Sequence, residues 1–123
     1  MKENEFEYKQ RIIQEHVPGK QITIAHIIAS PDKILYRKLG LDPALDYSEK
    51  SAIGIVTMSP AEYAIIASDI ALKRSGAELG FVDRFSGTLI LTGTVSEVEE
   101  SLQAVVDYAK DSLGFTVCPV TKT

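Results

Sequence analysis

From Ala52 onward the hydrophobic period of the chain alternates between two and about 3.6 residues, and each change falls at a proline, glycine or Ser/Glu signal. Residues 52–58, AIGIVTM, form a short apolar strand. Ser59-Pro60-Ala61-Glu62 has the form of a capping box with proline at the first helical position, and opens a helix that stops at Gly76. Residues 79–84 and 88–94 are two strands joined as a hairpin through Phe85-Ser86-Gly87. Ser96-Glu97-Val98-Glu99 is a second box. It starts a helix with Val98, Leu102, Val105 and Ala109 on one stripe and Gly114 at its end. Residues 115–120 read as a last strand, which Pro119 places at an edge or terminates. This β-α-β-β-α-β order predicts an α+β fold, a mainly antiparallel sheet with helices on one face.

The preceding part is less regular. Residues 1–10 are mainly polar and charged, with Phe6 and Tyr8 as large apolar groups, and read as an arm. Arg11-Ile12-Ile13-Gln14-Glu15-His16-Val17 is a β-prone stretch ended by the turn pair Pro18-Gly19. In 21–29, Ile22, Ile24, His26 and Ile28 alternate onto one strand face, with Ala25 and Ile27 opposite. Ser30-Pro31 reads as the start of a short helix carrying Ile34, Leu35 and Leu39, stopped by Gly40. Residues 41–51, with Asp42, Pro43, Asp46 and Ser48, form a linker loop. The chain thus divides into an N-terminal arm and strand, 1–18, and one folded domain, 19–123. That length is enough to bury a core without staples.

The helix expected at 60–75 has too little polar face. Ala61, Tyr63, Ala64, Ile65, Ile66, Ala67, Ile70, Ala71 and Leu72 are interrupted mainly by Ser68 and Asp69. A helix covered only by its own sheet keeps a polar side about as wide as its apolar one. Either a second subunit covers this helix, or the helix at 31–39 does so within the chain. The first option predicts an oligomer.

Several chemistries are excluded or weakened. Thirteen Lys and Arg against 17 Asp and Glu leave a net charge of −4, with no basic footprint for nucleic acid. No apolar run has the roughly 18–20 residues a membrane span needs. One cysteine, Cys118, rules out an internal disulfide framework and favours the cytosol. Cys118 with His26 or His16 could act as nucleophile and base only if the fold brought them together; in an apolar strand a packed thiol is the simpler reading. His26, on an isoleucine-rich face, reads as a hydrogen-bonded core or interface residue. No metal-ligand spacing and no phosphate or dinucleotide fingerprint occurs, so neither a metal nor a cofactor is expected. Asp69 and Lys73 stand i,i+4 in the favourable orientation for a helical ion pair. Asp83-Arg84-Phe85-Ser86-Gly87 is a chemically mixed turn: either a solvated hairpin, or, repeated around a ring, a polar aperture. A small-molecule-binding regulatory domain with a ferredoxin-like core remains an alternative, its ligand near the same turn.

The stretches RIIQEHVPGKQITIAHIIASP (11–31), SAIGIVTMSP (51–60), LGFVDRFSG (79–87) and CPVTKT (118–123) resemble, in order, the circularly permuted shell proteins of bacterial microcompartments, of the EutS/PduU type. The resemblance runs from about residue 11 to the C-terminus. It implies a permuted BMC domain whose usual C-terminal strand and helix have moved ahead of the rest, and a non-enzymatic homohexamer that tiles with other shell proteins around enzymes in the cytoplasm. It implies a pore turn at Arg84, Phe85, Ser86 and Gly87, and a hexamer-edge motif at Asp69 and Lys73. Arg11 to Val17 would supply one strand of a six-stranded barrel over the pore. The chain departs from the pattern in residues 1–10, in a longer 41–51 loop, and at Ser30-Pro31-Asp32, where unpermuted domains often carry an arginine.

Overall fold

A computed structural model describes residues 19–41 and 51–123. The arm, the Arg11 to Val17 strand and most of the expected linker lie outside the described residues. The elements are β1 (Gln21–Ile28), α1 (Ile34–Lys38), β2 (Ser51–Ser59), α2 (Tyr63–Arg74), β3 (Glu78–Asp83), β4 (Thr88–Thr94), α3 (Val95–Leu113) and β5 (Thr121–Lys122). The strands form one five-stranded sheet in the order β3-β4-β2-β1-β5. All neighbours are antiparallel except β1 and β5. The expected α+β architecture is present.

The two long helices cover one face. Val98, Leu102, Val105 and Ala109 of α3 are buried against Ala25 and Ile27 of β1, Val56 of β2, and Leu89 and Leu91 of β4. Each valine, leucine or isoleucine among them contributes about 1.5–3 kcal/mol when taken from water, so this layer dominates stability. Gly54 lets α3 settle close to the sheet, since a Cβ there would stand 2.5 Å from Val98 Cγ1 and 2.8 Å from Leu102 Cδ1. The serines between the helices are fully engaged. Ser101 Oγ donates to the Ala71 carbonyl at 2.8 Å, and Ser75 Oγ lies 2.8 Å from Ser101 Oγ.

Helices do not occupy only one face. The short α1 packs on the opposite side, where Tyr36 and Leu41 join Ile53 in a second buried cluster flanked by Ile28, Ile55 and Ile90. It therefore does not cover α2, so the helix expected at 31–39 is not what covers that apolar surface. On α2 the small residues Ala64, Ala67, Ser68 and Ala71 face inward, while Ile65, Ile66 and Leu72 are 53%, 42% and 42% exposed.

Other boundaries differ from expectation for identifiable reasons. In β1 a register shift between Ile22 and Ile24 reverses the alternation, so Ile22 joins Ala25 and Ile27 in the core and Ile24 turns outward. Ser59 ends β2, paired with Gln21, and so is not a helix cap; successive turns onto Pro60, Ala61 and Glu62 carbonyls lead into α2. The working capping box is two residues earlier than the expected second one. Thr94 Oγ1 accepts from Glu97 N at 3.2 Å, and Glu97 Oε1 from Thr94 N at 2.9 Å. Helix α1 begins after Asp32, whose carboxylate accepts from the Ile34 amide at 3.0 Å, rather than at Ser30-Pro31. Among the described residues, 115–120 make only a single bridge, Thr116 with Gln21, and the edge strand is Thr121–Lys122 beyond Pro119.

Candidate functional site

The turn between β3 and β4 is built around Asp83. Its carboxylate accepts from the Phe85 amide at 2.8 Å, and its carbonyl accepts from the Gly87 amide at 2.9 Å. Those bonds fold the chain back within five residues, the local pattern an aspartate favours. The Phe85 N–H, with help from Ser86, holds the Asp83 carboxyl below its ordinary pKa. Gly87 then adopts φ +78°, and its carbonyl accepts from Met58 N at 2.9 Å, which ties the turn to the end of β2. A Cβ at Gly87 would collide with the Met58 carbonyl oxygen.

What the turn presents is set by that scaffold. The Phe85 ring is 81% exposed, and the Arg84 guanidinium lies over it, 5.0 Å from the centroid. Ser86 Oγ donates to Thr88 Oγ1 at 3.1 Å. Arg84, Phe85 and Ser86 are thus displayed together on a turn that the buried Gly87 braces. Asp83 was visible in the sequence as part of the mixed turn, but its organising role depends on the Asp-x-Phe amide geometry.

Asp69 and Lys73 form their ion pair on α2, Nζ to Oδ2 2.8 Å, on the solvent side of the helix. The neighbouring Asp69 keeps Lys73 protonated to higher pH than an ordinary lysine.

Among the described residues, Cys118 and His26 make no hydrogen bond to each other. Cys118 is half-buried against the main core. His26 Nδ1 lies 2.6 Å from Thr121 Oγ1, and Nε2 lies 2.9 Å from Thr123 Oγ1, so both ring nitrogens are occupied by threonines. His16 lies outside the described residues. Among the described residues no helix is long and apolar enough to cross a membrane.

A sheet of this order, flanked by α2 and α3 and carrying a braced β3–β4 turn, defines a domain class, and residues 52–121 match the BMC domain model. The chain belongs to the BMC-domain family, with β1 and α1 placed ahead of the matched segment in the permuted order. It is 51% identical over 113 residues to the bacterial microcompartment shell protein PduU of Salmonella typhimurium, covering 92% of this chain and 93% of that protein. It is 48% identical to the shell protein EutS of Escherichia coli, covering 94% and 98%. The solved structure described as the CutR flat hexamer, form 1, superposes with a TM-score of 0.78 at 48% identity, covering 92% of this chain and 99% of that one.

Proposed function

We propose that this chain is a structural, non-enzymatic shell protein of a bacterial microcompartment, assembled as a homohexamer that tiles with other shell proteins. The observation that carries this reading is the inverted α2: alanines toward its own core, Ile65, Ile66 and Leu72 toward solvent, with α1 on the wrong face to cover them. Exposed apolar surface of that kind marks an interaction site. Similarity to a relative solved as a flat hexamer supplies the stoichiometry. A cyclic ring makes each contact heterologous and closes without free ends.

In that ring the Arg84, Phe85, Ser86 and Gly87 turn lines the central aperture. Asp69 and Lys73 sit at the outer edge, where the next hexamer meets the tile. Residues 11–17 of the six subunits close a small barrel over the aperture, since strands too short to stand alone are stabilised when closure removes their edges. The shell lies in the cytoplasm and encloses enzymes. Sedimentation velocity at micromolar concentration tests the assembly: a six-subunit species is expected, and a monomer would overturn it. Deleting residues 1–17 tests the barrel separately. Hexamers with a wider axial opening in electron micrographs support it, whereas dissociation would make that segment part of the ring contact.

A further inference from the structure

The start of β1 is tied to the end of α3 through both backbone and side chain. Thr116 N donates to the Lys20 carbonyl at 3.1 Å, and Ile22 N donates to the Thr116 carbonyl at 2.9 Å. Lys20 Nζ donates to the Leu113 carbonyl at 2.6 Å and lies 6.0 Å from the centroid of the Phe115 ring. Leu113 is the last residue of α3, where the final carbonyls have no partner within the helix. A cation placed there also meets the negative end of the helix dipole. The base that Lys20 grips is part of the core. Phe115 is buried, stands edge-on to Tyr63 with centroids 5.0 Å apart, and its amide donates to the Ala109 carbonyl at 2.9 Å.

The residue before Lys20 is of the opposite kind. Gly19 is exposed, has φ +71° and has open space around its missing Cβ. A permissive glycine beside an anchored lysine makes residue 20 the point that orients the chain ahead of it. Its place in the sheet matters too. Gln21 pairs with Ser59 and Ile22 with Met58, and the Met58 amide is bonded to the Gly87 carbonyl of the β3–β4 turn. The chain ahead of Gly19 therefore joins the sheet at the end that carries that turn.

We infer that Lys20 is a positioning residue, which through the α3 terminus sets the direction in which residues 11–17 leave the domain. Its use rests on the reading of those residues as a barrel strand, for which that direction is toward the axis of the ring. Six short segments must arrive together before closure stabilises any of them. Fixing each root in advance lowers the conformational entropy lost when they close.

The test uses the full-length chain with Gln14→Cys and Cys118→Ala, carrying a nitroxide at residue 14. Rings labelled sub-stoichiometrically are read by pulsed electron paramagnetic resonance, which gives the distances between labels and their spread. Short distances across the axis are expected from the barrel, and long ones would overturn the barrel reading. The spread reads Lys20 separately. Lys20→Met keeps the aliphatic stem and loses the ammonium, and is expected to broaden the distribution about twofold through loss of a charge-assisted bond. Lys20→Arg, which keeps a charged donor, is expected to stay near wild type. Sedimentation should show the six-subunit species in all three proteins. Equal spread in wild type and Lys20→Met overturns the positioning role, whatever the distances. Dissociation of the Lys20→Met ring also overturns it, by making Lys20 part of the ring's stability instead.

Discussion

The carbonyl of Gly87 accepts a hydrogen bond from the amide of Met58 at 2.9 Å, so the exposed β3–β4 turn is held by the end of β2 as well as by its own strands. The contact requires that residue 87 have no side chain.

Gly87→Ala therefore meets two penalties: a left-handed backbone, worth about 1–2 kcal/mol, and a collision with Met58 O. A total loss of about 3 kcal/mol is expected in urea unfolding. Gly40→Ala separates the two terms, since Gly40 has φ +70° but open space around its missing Cβ. The Gly40 variant is expected to lose only the backbone part. Equal losses at both positions would show that the turn relaxes away from Met58.

The Asp83 carboxyl titrates below its ordinary range, so its folded pKa is lower than its unfolded one. The linkage sign follows: its contribution is present above the unfolded pKa, about 4, and is lost as pH falls through the folded value. Asp83→Asn is expected to be less stable than wild type near neutrality, with the gap in unfolding midpoints closing below about pH 4. A gap independent of pH would assign the effect to shape alone.

Ile65→Ser with Ile66→Ser alters α2 only where it is exposed. Light scattering after size exclusion should show the ring replaced by smaller species, with far-UV circular dichroism preserved. An intact hexamer would mean that this part of α2 faces no neighbour.

Lys73→Ala removes an exposed ion pair, and such pairs contribute little to folding. The expected result is an unchanged melting temperature and intact hexamers that no longer form extended sheets in negative stain. In the wild type, Asp69 raises the Lys73 pKa, so the lysine's side of the pair is fully charged below the ordinary lysine pKa and is lost as pH rises through the folded value. On the alkaline side, sheets that depend on Lys73 should persist until the pH passes the ordinary lysine pKa.

Features read from neighbouring residues fared best. The α3 stripe Val98, Leu102, Val105 and Ala109 is buried as its spacing requires, and Gly114 closes the helix in the left-handed conformation. The Arg84 to Gly87 turn and the Asp69–Lys73 pair stand where spacing put them. Two local signals misled because each had a nearby competitor. Thr94 caps α3 in place of Ser96, and Ser59 is held in β2 by pairing. The bulge in β1 has no local marker, and one added residue turned Ile24 outward. The His26 contacts were beyond reach for another reason: Thr121 is 95 positions away, and only the parallel β1–β5 pairing brings them together.

The unequal cover of the sheet has a consequence for any wall made from this chain. Among the described residues one face carries two long helices and the other a single five-residue helix, so a ring of like-oriented copies has a front and a back that can never be superposed. A container tiled from such rings tells its interior from its surroundings by geometry alone. Every tile laid in register repeats that orientation, and a reversed one would bring unlike contours to the same seam.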